Sequence, residues 1–304
     1  MSTKDLFITD REKVRKEWGK NASEVKEYIQ IIREWMKTQK HLPEISDDNM
    51  IEFVLTNCKY SIEKTKQNLD MYYTIRSLIP EFFKNIHPTK SDLPNTLSKV
   101  TLYVPLPKLT STLHRVSFVK YIEISEDIFD PHKVVAHGCN LYEVRLHEDL
   151  VMGEIFIIDA KGLSMSHILK ITPAVLKKYV LVLEKVWSNR LKEIHCINYP
   201  PYIDKLLALT KIFLKKKLYD RIHLHPNIES LYKHIPRDML PSDYGGNEKS
   251  IQELSDLWQI KFKECEKRFD ALENMEVNES LRPEVLTNSD VLGYYGNFKK
   301  IDVD

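Results

Sequence analysis

The chain's 304 residues, 42% hydrophobic and 29% charged, can bury a substantial core and accommodate one large domain or two ordinary ones. Forty-five Lys and Arg against 44 Asp and Glu leave a formal net charge of +1, which excludes a globally basic nucleic-acid binder and confines any basic surface to a local patch. Four cysteines, Cys58, Cys139, Cys196 and Cys265, lie far apart with no CxxC pair, which excludes a zinc knuckle and a dense disulfide framework and fits a reducing cytoplasm.

The opening MSTKDLFITDREKVRKEW is charged within four residues and carries no apolar stretch, so no secretory signal is expected there. No uninterrupted apolar run reaches the roughly 18 to 20 residues a bilayer span needs. From Thr9 to about Phe83 the pattern is helical, with Val25, Ile29, Ile32, Trp35 and Met36 in one apolar stripe. Pro43 breaks it. Ser46, ahead of Asp47 and Asp48, predicts the N-cap of a helix carrying Ile51, Val54 and Leu55, and Ser61 predicts the cap of another, Ile62–Leu78, stopped by Pro80. These pieces predict an N-terminal helical bundle over residues 9–86.

His87 to Pro107 holds four prolines and reads as a connector into a first strand near Leu102–Val104. Strand-like and helical runs then alternate: Val116–Ile122 strand, Pro131–Asp149 helix, Glu154–Ile158 strand, Pro173–Trp187 helix, Glu193–Ile197 strand, Ile203–Phe213 helix, Arg221–Leu224 strand. The alternation predicts an α/β layer with a largely parallel sheet. A last helix, Ile251 to about Leu272, follows the turn Asp243-Tyr244-Gly245-Gly246 and closes a second domain over 87–274. Residues 275–304 read as a polar, loosely held tail.

Motifs of catalysis are missing: the sequence has no GxSxG, no GxxxxGK[ST], no GxGxxG and no HExxH, so no catalytic residue, cofactor or metal is assigned. His223 and His225 share one side of a predicted strand and could ligate a metal. No acidic or thiol partner stands at ligand spacing, however, and they read as structural or surface histidines. Where an α/β enzyme gathers polar groups, after the carboxyl ends of its strands, this chain has Leu163, Met165, Ile168, Ile203, Leu206, Leu207 and Leu209. Such residues either fill an ordinary core or line the mouth of a site for a greasy ligand. Arg190, Lys192, Lys215, Lys216, Lys217 and Arg221 flank the Ile203–Phe213 helix, as a solvated face or as a contact for an anionic membrane.

The runs FIIDAKGLSMSHILKITPAVLKKY, RLKEIHCINYPPYIDKLLALTKIFLKKKLYDRIHLH and LPSDYGG, in this order and separation, resemble the CRAL-TRIO lipid-binding domain. The branch resembled is that of alpha-tocopherol transfer protein and cellular retinaldehyde-binding protein. TNCKYSIEKTKQNLDMYYTIRSLIPEFF resembles the helical domain preceding it, in the form frequent among insect members, and the likeness spans roughly Val25 to Leu272. The resemblance implies a helical bundle against a sheet of about five strands, with the ligand enclosed under a movable helix. It also implies a monomeric carrier that moves one retinoid, carotenoid, tocopherol or phospholipid between membranes without chemistry. The alternative is a membrane-recruited lipid-sensing scaffold or regulator.

Carried onto this chain, the resemblance places Phe156, Ile158, Leu163, Met165, Ile168, Val175, Tyr179, Val182, Trp187 and Ile194 around the cavity. The gate falls on Tyr202, Ile203, Leu206, Leu207 and Leu209. Phosphoinositide contacts fall on Arg190, Lys192, Lys217 and Arg221, the last of which equally suits a structural ion pair. Phe53 and Thr56 stand where relatives carry arginines, so part of the anionic-lipid surface is expected to be missing. The expected location is cytoplasmic, with transient contact to phosphoinositide-containing membranes.

Overall fold

The computed structural model describes residues 3–122, 127–187, 190–284 and 286. The bundle comprises α1 (Arg11–Glu17), α2 (Ala22–Thr38), α3 (Asp48–Asn57) and α4 (Ile62–Leu78). A capping box of Asn21 and Glu24 starts α2, which buries Val25, Ile29, Ile32 and Met36 at helical spacing. The cap expected at Ser46 falls one residue later, because the Asp47 carboxylate, the stronger acceptor at a helix start, takes the Met50 amide. Ser46 instead turns inward to the Tyr73 hydroxyl at 2.9 Å. Ser61 does occupy the N-cap of α4, where its carbonyl accepts the Thr65 amide and hydroxyl.

Residues 87–107 hold more than a connector. A short helix, α5 (Leu93–Leu97), carries Pro94 in its first turn, and β1 (Thr101–Leu109) runs through Pro105 and Pro107. Prolines are tolerated there because β1 is an edge strand, paired in the sheet with β2 (His114–Tyr121). Along its other side run residues 3–8: the Ile8 amide donates to the Pro107 carbonyl at 3.0 Å, and Leu6 is buried.

Five strands are described, in the order β1-β2-β3-β4-β5. After the antiparallel β1/β2 pair, β3 (Gly153–Asp159), β4 (Leu191–Ile197) and β5 (Ile222–Leu224) follow in parallel. Because the order advances in one direction, right-handed crossovers put the connecting helices on one face. These are α6 (Pro131–Glu148), then α7 (Met165–Lys170) with α8 (Pro173–Leu181), then α9 (Ile203–Phe213) with α10 (Lys216–Tyr219). The strand order does not reverse, so the crevice that a doubly wound sheet offers to nucleotides at its switch point does not form. The helix expected to reach Trp187 changes to a π turn over Val182–Val186.

After β5 come α11 (Ile228–Leu231), α12 (Ile251–Glu264) and α13 (Glu266–Glu273), the last two separated at Cys265. LPSDYGG has a mechanical role at the second sheet face: the Tyr244 ring packs on Phe118 at 4.5 Å and its hydroxyl donates to Asp159, at the end of β3, at 2.6 Å. Gly245 adopts φ +75°, and a Cβ on Gly246 would lie 1.9 Å from the Leu240 carbonyl oxygen, so both positions require glycine.

One apolar core joins bundle and sheet. Phe53 of α3 meets Tyr142 of α6 edge-on at 5.7 Å, and Tyr142 stacks on Trp187 at 5.6 Å. Inside it lies a charged network: Arg115 of β2 pairs with Asp149 at 2.6 Å, and Arg145 of α6 pairs with Asp149 at 3.1 Å and with Glu154 of β3 at 2.7 Å, all four buried. Burial opposes ionisation of Asp149, yet the two guanidiniums hold its carboxyl well below the usual range.

The expected loose tail is not loose where it is described. Arg282 pairs with Asp70 at 2.7 Å and donates to Thr74, while the Asn278 amide donates to the His41 carbonyl. Its anchor is one arginine whose partner is 212 residues away, which leaves no local pattern to read. Residues 285 and 287–304 of that tail lie outside the described residues.

Candidate functional site

Strand alternation divides the sheet into two unlike faces. Ile157 and His195, which point away from the crossover helices, have no exposed surface. Their neighbours Ile158 and Ile194, on the helix side, are only half-buried, as are Ile222 and Leu224 of β5. Opposite them stand Tyr179 of α8 and Leu183 of the π turn, also half-buried. Tyr121 is half-buried as well. Burial pushes the Tyr121 phenol and the Cys196 thiol up to about 12, so neither is charged at neutral pH.

On the same side of the sheet, α9 packs against α8. Among its described residues Ile203 is the one fully buried side chain, while Leu206, Leu207, Leu209 and Phe213 stay half-buried and Ile212 is 74% exposed. A helix of this composition normally hides its apolar stripe. Its start is held by Tyr202, whose hydroxyl donates to the Leu163 carbonyl at 2.9 Å.

The remaining residues named from the sequence divide into groups. Phe156 and Trp187 line a gap too tight for a water molecule, beside Tyr103, Gly138 and Arg145. Val182 is fully buried in the main core, within the π turn that packs on α4. Leu163 sits in a smaller apolar cluster with Phe129 and Ala160; Met165 is half-buried on α7, and Ile168 and Val175 are buried. Ile158 and Ile194 thus share the helix side of the neighbouring strands β3 and β4, while Val182 and Trp187 are buried in the main core. The same sheet face also carries Cys196, Ile222 and Leu224, of which counting two residues on from Ile194 and from Ile222 reaches Cys196 and Leu224.

The basic residues also part company. Lys192 and Lys217 are exposed. Arg190 lies over the Trp18 ring at 4.7 Å, where burial and neighbouring Arg221 lower its pKa, and Arg221 donates to the Leu191 carbonyl rather than to an acid. Phe53 and Thr56 are buried in α3.

A larger cleft of about 430 Å³ lies elsewhere, between Glu44–Asp47, α6 and the α12–α13 junction. Charges line it in pairs, Arg268 with Glu143 and Glu44, both at 2.8 Å, and His147 with Asp47 at 2.6 Å. An apolar molecule there would strip water from ions without replacing it. Among the described residues no helix is long and apolar enough to cross a membrane.

Comparison with known proteins agrees with this architecture. Residues 99–246 match the family described as CRAL/TRIO domain, and residues 21–93 the family described as Pinta-like, UBA domain. Alpha-tocopherol transfer protein-like of Homo sapiens is 28% identical over 255 residues, which is 80% of this chain and 70% of that protein. Clavesin-1 of Xenopus laevis is 28% identical over 244 residues, 77% of this chain and 72% of its own length. The crystal structure of Sfh5 superposes with a TM-score of 0.50 over 85% of this chain and 100% of the other, at 13% identity, a likeness of fold. With a five-stranded, mostly parallel sheet behind a helical bundle and a family match across the sheet, residues 99–246 of this chain are a CRAL/TRIO domain.

Proposed function

We propose that this chain holds one hydrophobic, lipid-like molecule between the helix side of β3–β5 and α8–α9, and carries it between membranes without altering it. The observation that carries this reading is α9, an apolar helix that leaves its leucines half-buried above half-buried isoleucines of the sheet. A ligand losing about 300 Å² of water contact there gains on the order of 7 kcal/mol at about 25 cal/mol per Å², offset in part by ordering. The relative named for alpha-tocopherol transfer points the same way. Organic extraction of the purified protein, after exposure to a cellular lipid extract, should release one apolar species in near-stoichiometric amount by mass spectrometry. Recovery of none would overturn the reading.

Docking on an anionic, phosphoinositide-containing surface from the cytoplasm completes the proposal, with the carrier working as a monomer. Leu169, 72% exposed on α7, and Ile212 offer apolar side chains to a bilayer, and Lys192 and Lys217 offer charge. Arg190 is left out because of its seat on Trp18. Changing Lys192→Glu and Lys217→Glu together should leave ligand affinity in solution unchanged and slow transfer to anionic vesicles about tenfold, since each lysine near such a surface contributes on the order of 1 kcal/mol. The deficit should shrink as salt rises. Parental rates to anionic and neutral vesicles alike would reduce these lysines to a solvated face.

A further inference from the structure

We propose that Glu193, His195 and His234 form a binding site for a divalent transition-metal ion, zinc foremost, on the sheet face turned away from α9. β4 supplies the first two ligands at i and i+2, so strand alternation alone puts them on one side, and the turn after α11 supplies the third. His195 Nε2 stands 3.1 Å from a Glu193 carboxylate oxygen, and His234 Nδ1 stands 3.8 Å from the same oxygen. The three ligand atoms all lie within 4.8 Å of one another. Two atoms bound to zinc at about 2.0–2.1 Å with a tetrahedral angle lie about 3.4 Å apart, so an ion fits with side-chain adjustments of about an ångström.

The surroundings are those of a ligand set. His195 Nδ1 lies 2.8 Å from His225 Nε2, His225 Nδ1 lies 3.0 Å from the Ser230 hydroxyl, and that hydroxyl donates to the Asn227 carbonyl at 2.7 Å. When the protons run in that order, from His195 to His225 to Ser230 to Asn227, the lone pair of His195 Nε2 points toward Glu193 and His234. That relay is the outer support a metal-bound imidazole uses to fix its tautomer. When no metal is bound, the Ser230 hydroxyl can turn from Asn227 to donate to His225 Nδ1 and His225 Nε2–H can donate to His195 Nδ1, which leaves His195 Nε2–H to donate to Glu193. His223 stacks on His195 at 5.2 Å and lies 5.4 Å from His234, which places a fourth imidazole at the rim, where it or a water completes the shell. A single His195–Glu193 hydrogen bond would require none of the other three imidazoles. Soft ligands do not compete on this face, because neighbouring Cys196 projects to the other one. A bound ion would tie β4 to the turn beyond β5, whichever molecule the opposite face holds.

The test uses the full chain, stripped with chelator and titrated with cobalt(II) and then zinc. One cobalt per chain should bind with the intense visible absorption of a four-coordinate site and without a thiolate charge-transfer band, zinc should displace it, and the thermal midpoint should rise. Glu193→Gln and His234→Ala, at partly exposed side chains, should each weaken binding at least tenfold while leaving the metal-free protein's thermal midpoint near the parental one. Ser230→Ala, which touches no metal, should weaken it less. A parent chain that takes up no cobalt at micromolar metal, a spectrum with thiolate bands, or uptake unchanged in both ligand variants would overturn the site.

Discussion

Replacing Asp149 with asparagine should cost the fold about 3–5 kcal/mol in urea unfolding, the usual penalty for leaving a buried charge without its counterion. Asp149 has no exposed surface and accepts from Arg115, Arg145, the Thr9 hydroxyl and the Leu150 amide. Asparagine keeps the shape and loses the charge, which strands Arg115 and Arg145 with Glu154 as their only buried acid. Burial pushes the Glu154 carboxyl up even beside Arg145, so it is a poor substitute. Changing Arg115→Met and Asp149→Leu together leaves one arginine with one carboxylate, and this pair should recover at least half of the loss. A single variant within 1 kcal/mol of the parent, on the scale of a surface pair, would mean that water reaches the network.

Tryptophan at Ile194 should abolish uptake of a fluorescent hydrophobic ligand, by tenfold or more in affinity, with the thermal midpoint nearly unchanged. Ile194 is half-buried on the helix side of β4, where the ligand is proposed to sit, so the indole would occupy the ligand's place. The same residue at Val182 should behave in the opposite way, because that side chain is fully buried and extra volume in a packed core costs about 1–3 kcal/mol. Equal uptake by the Ile194→Trp variant and the parent, with both folded, would move the ligand elsewhere. Destabilisation at Ile194 matching that at Val182 would mean that the space is already filled.

Element type was legible in the sequence wherever one period dominated. The helix Ile203–Phe213 and the strand Glu193–Ile197 follow from apolar spacing alone, and the alternation of such segments leads to a mostly parallel sheet. Proline misled at β1, where Pro105 and Pro107 suggested a connector. An edge strand needs fewer amide donors than an inner one, and edge position is a property of the assembled sheet. The proposed site is harder to read from sequence for a similar reason. Ile158, Tyr179 and Ile194 can be picked as apolar, but whether an apolar residue borders a hollow or solid packing depends on its neighbours, and Val182 and Trp187 look no different in the sequence. Arg190 shows the same limit in charge: a basic run gives no hint that Trp18, far away in the chain, will cover one of its members. The histidine cluster escaped because His195 and His234 are separated from His223 and His225 by turns of unpredictable reach.

The segment along the outer side of β1 sets an order of events in biosynthesis. Thr3 donates from its hydroxyl to Glu264 of α12, closing a separation of 261 residues, and α12 packs on both the 3–6 turn and β1. Residues 3–6 therefore wait for α12, about 260 residues later in the chain, before their contacts are complete. Until α12 emerges, β1 has an unprotected edge and its neighbours an uncovered apolar face, the state most prone to pairing with another nascent chain. Closing so long a loop adds little equilibrium cost, since that cost grows only with the logarithm of length, but it delays the final step. The last step of folding is thus set by the meeting of residues 3–6 with α12.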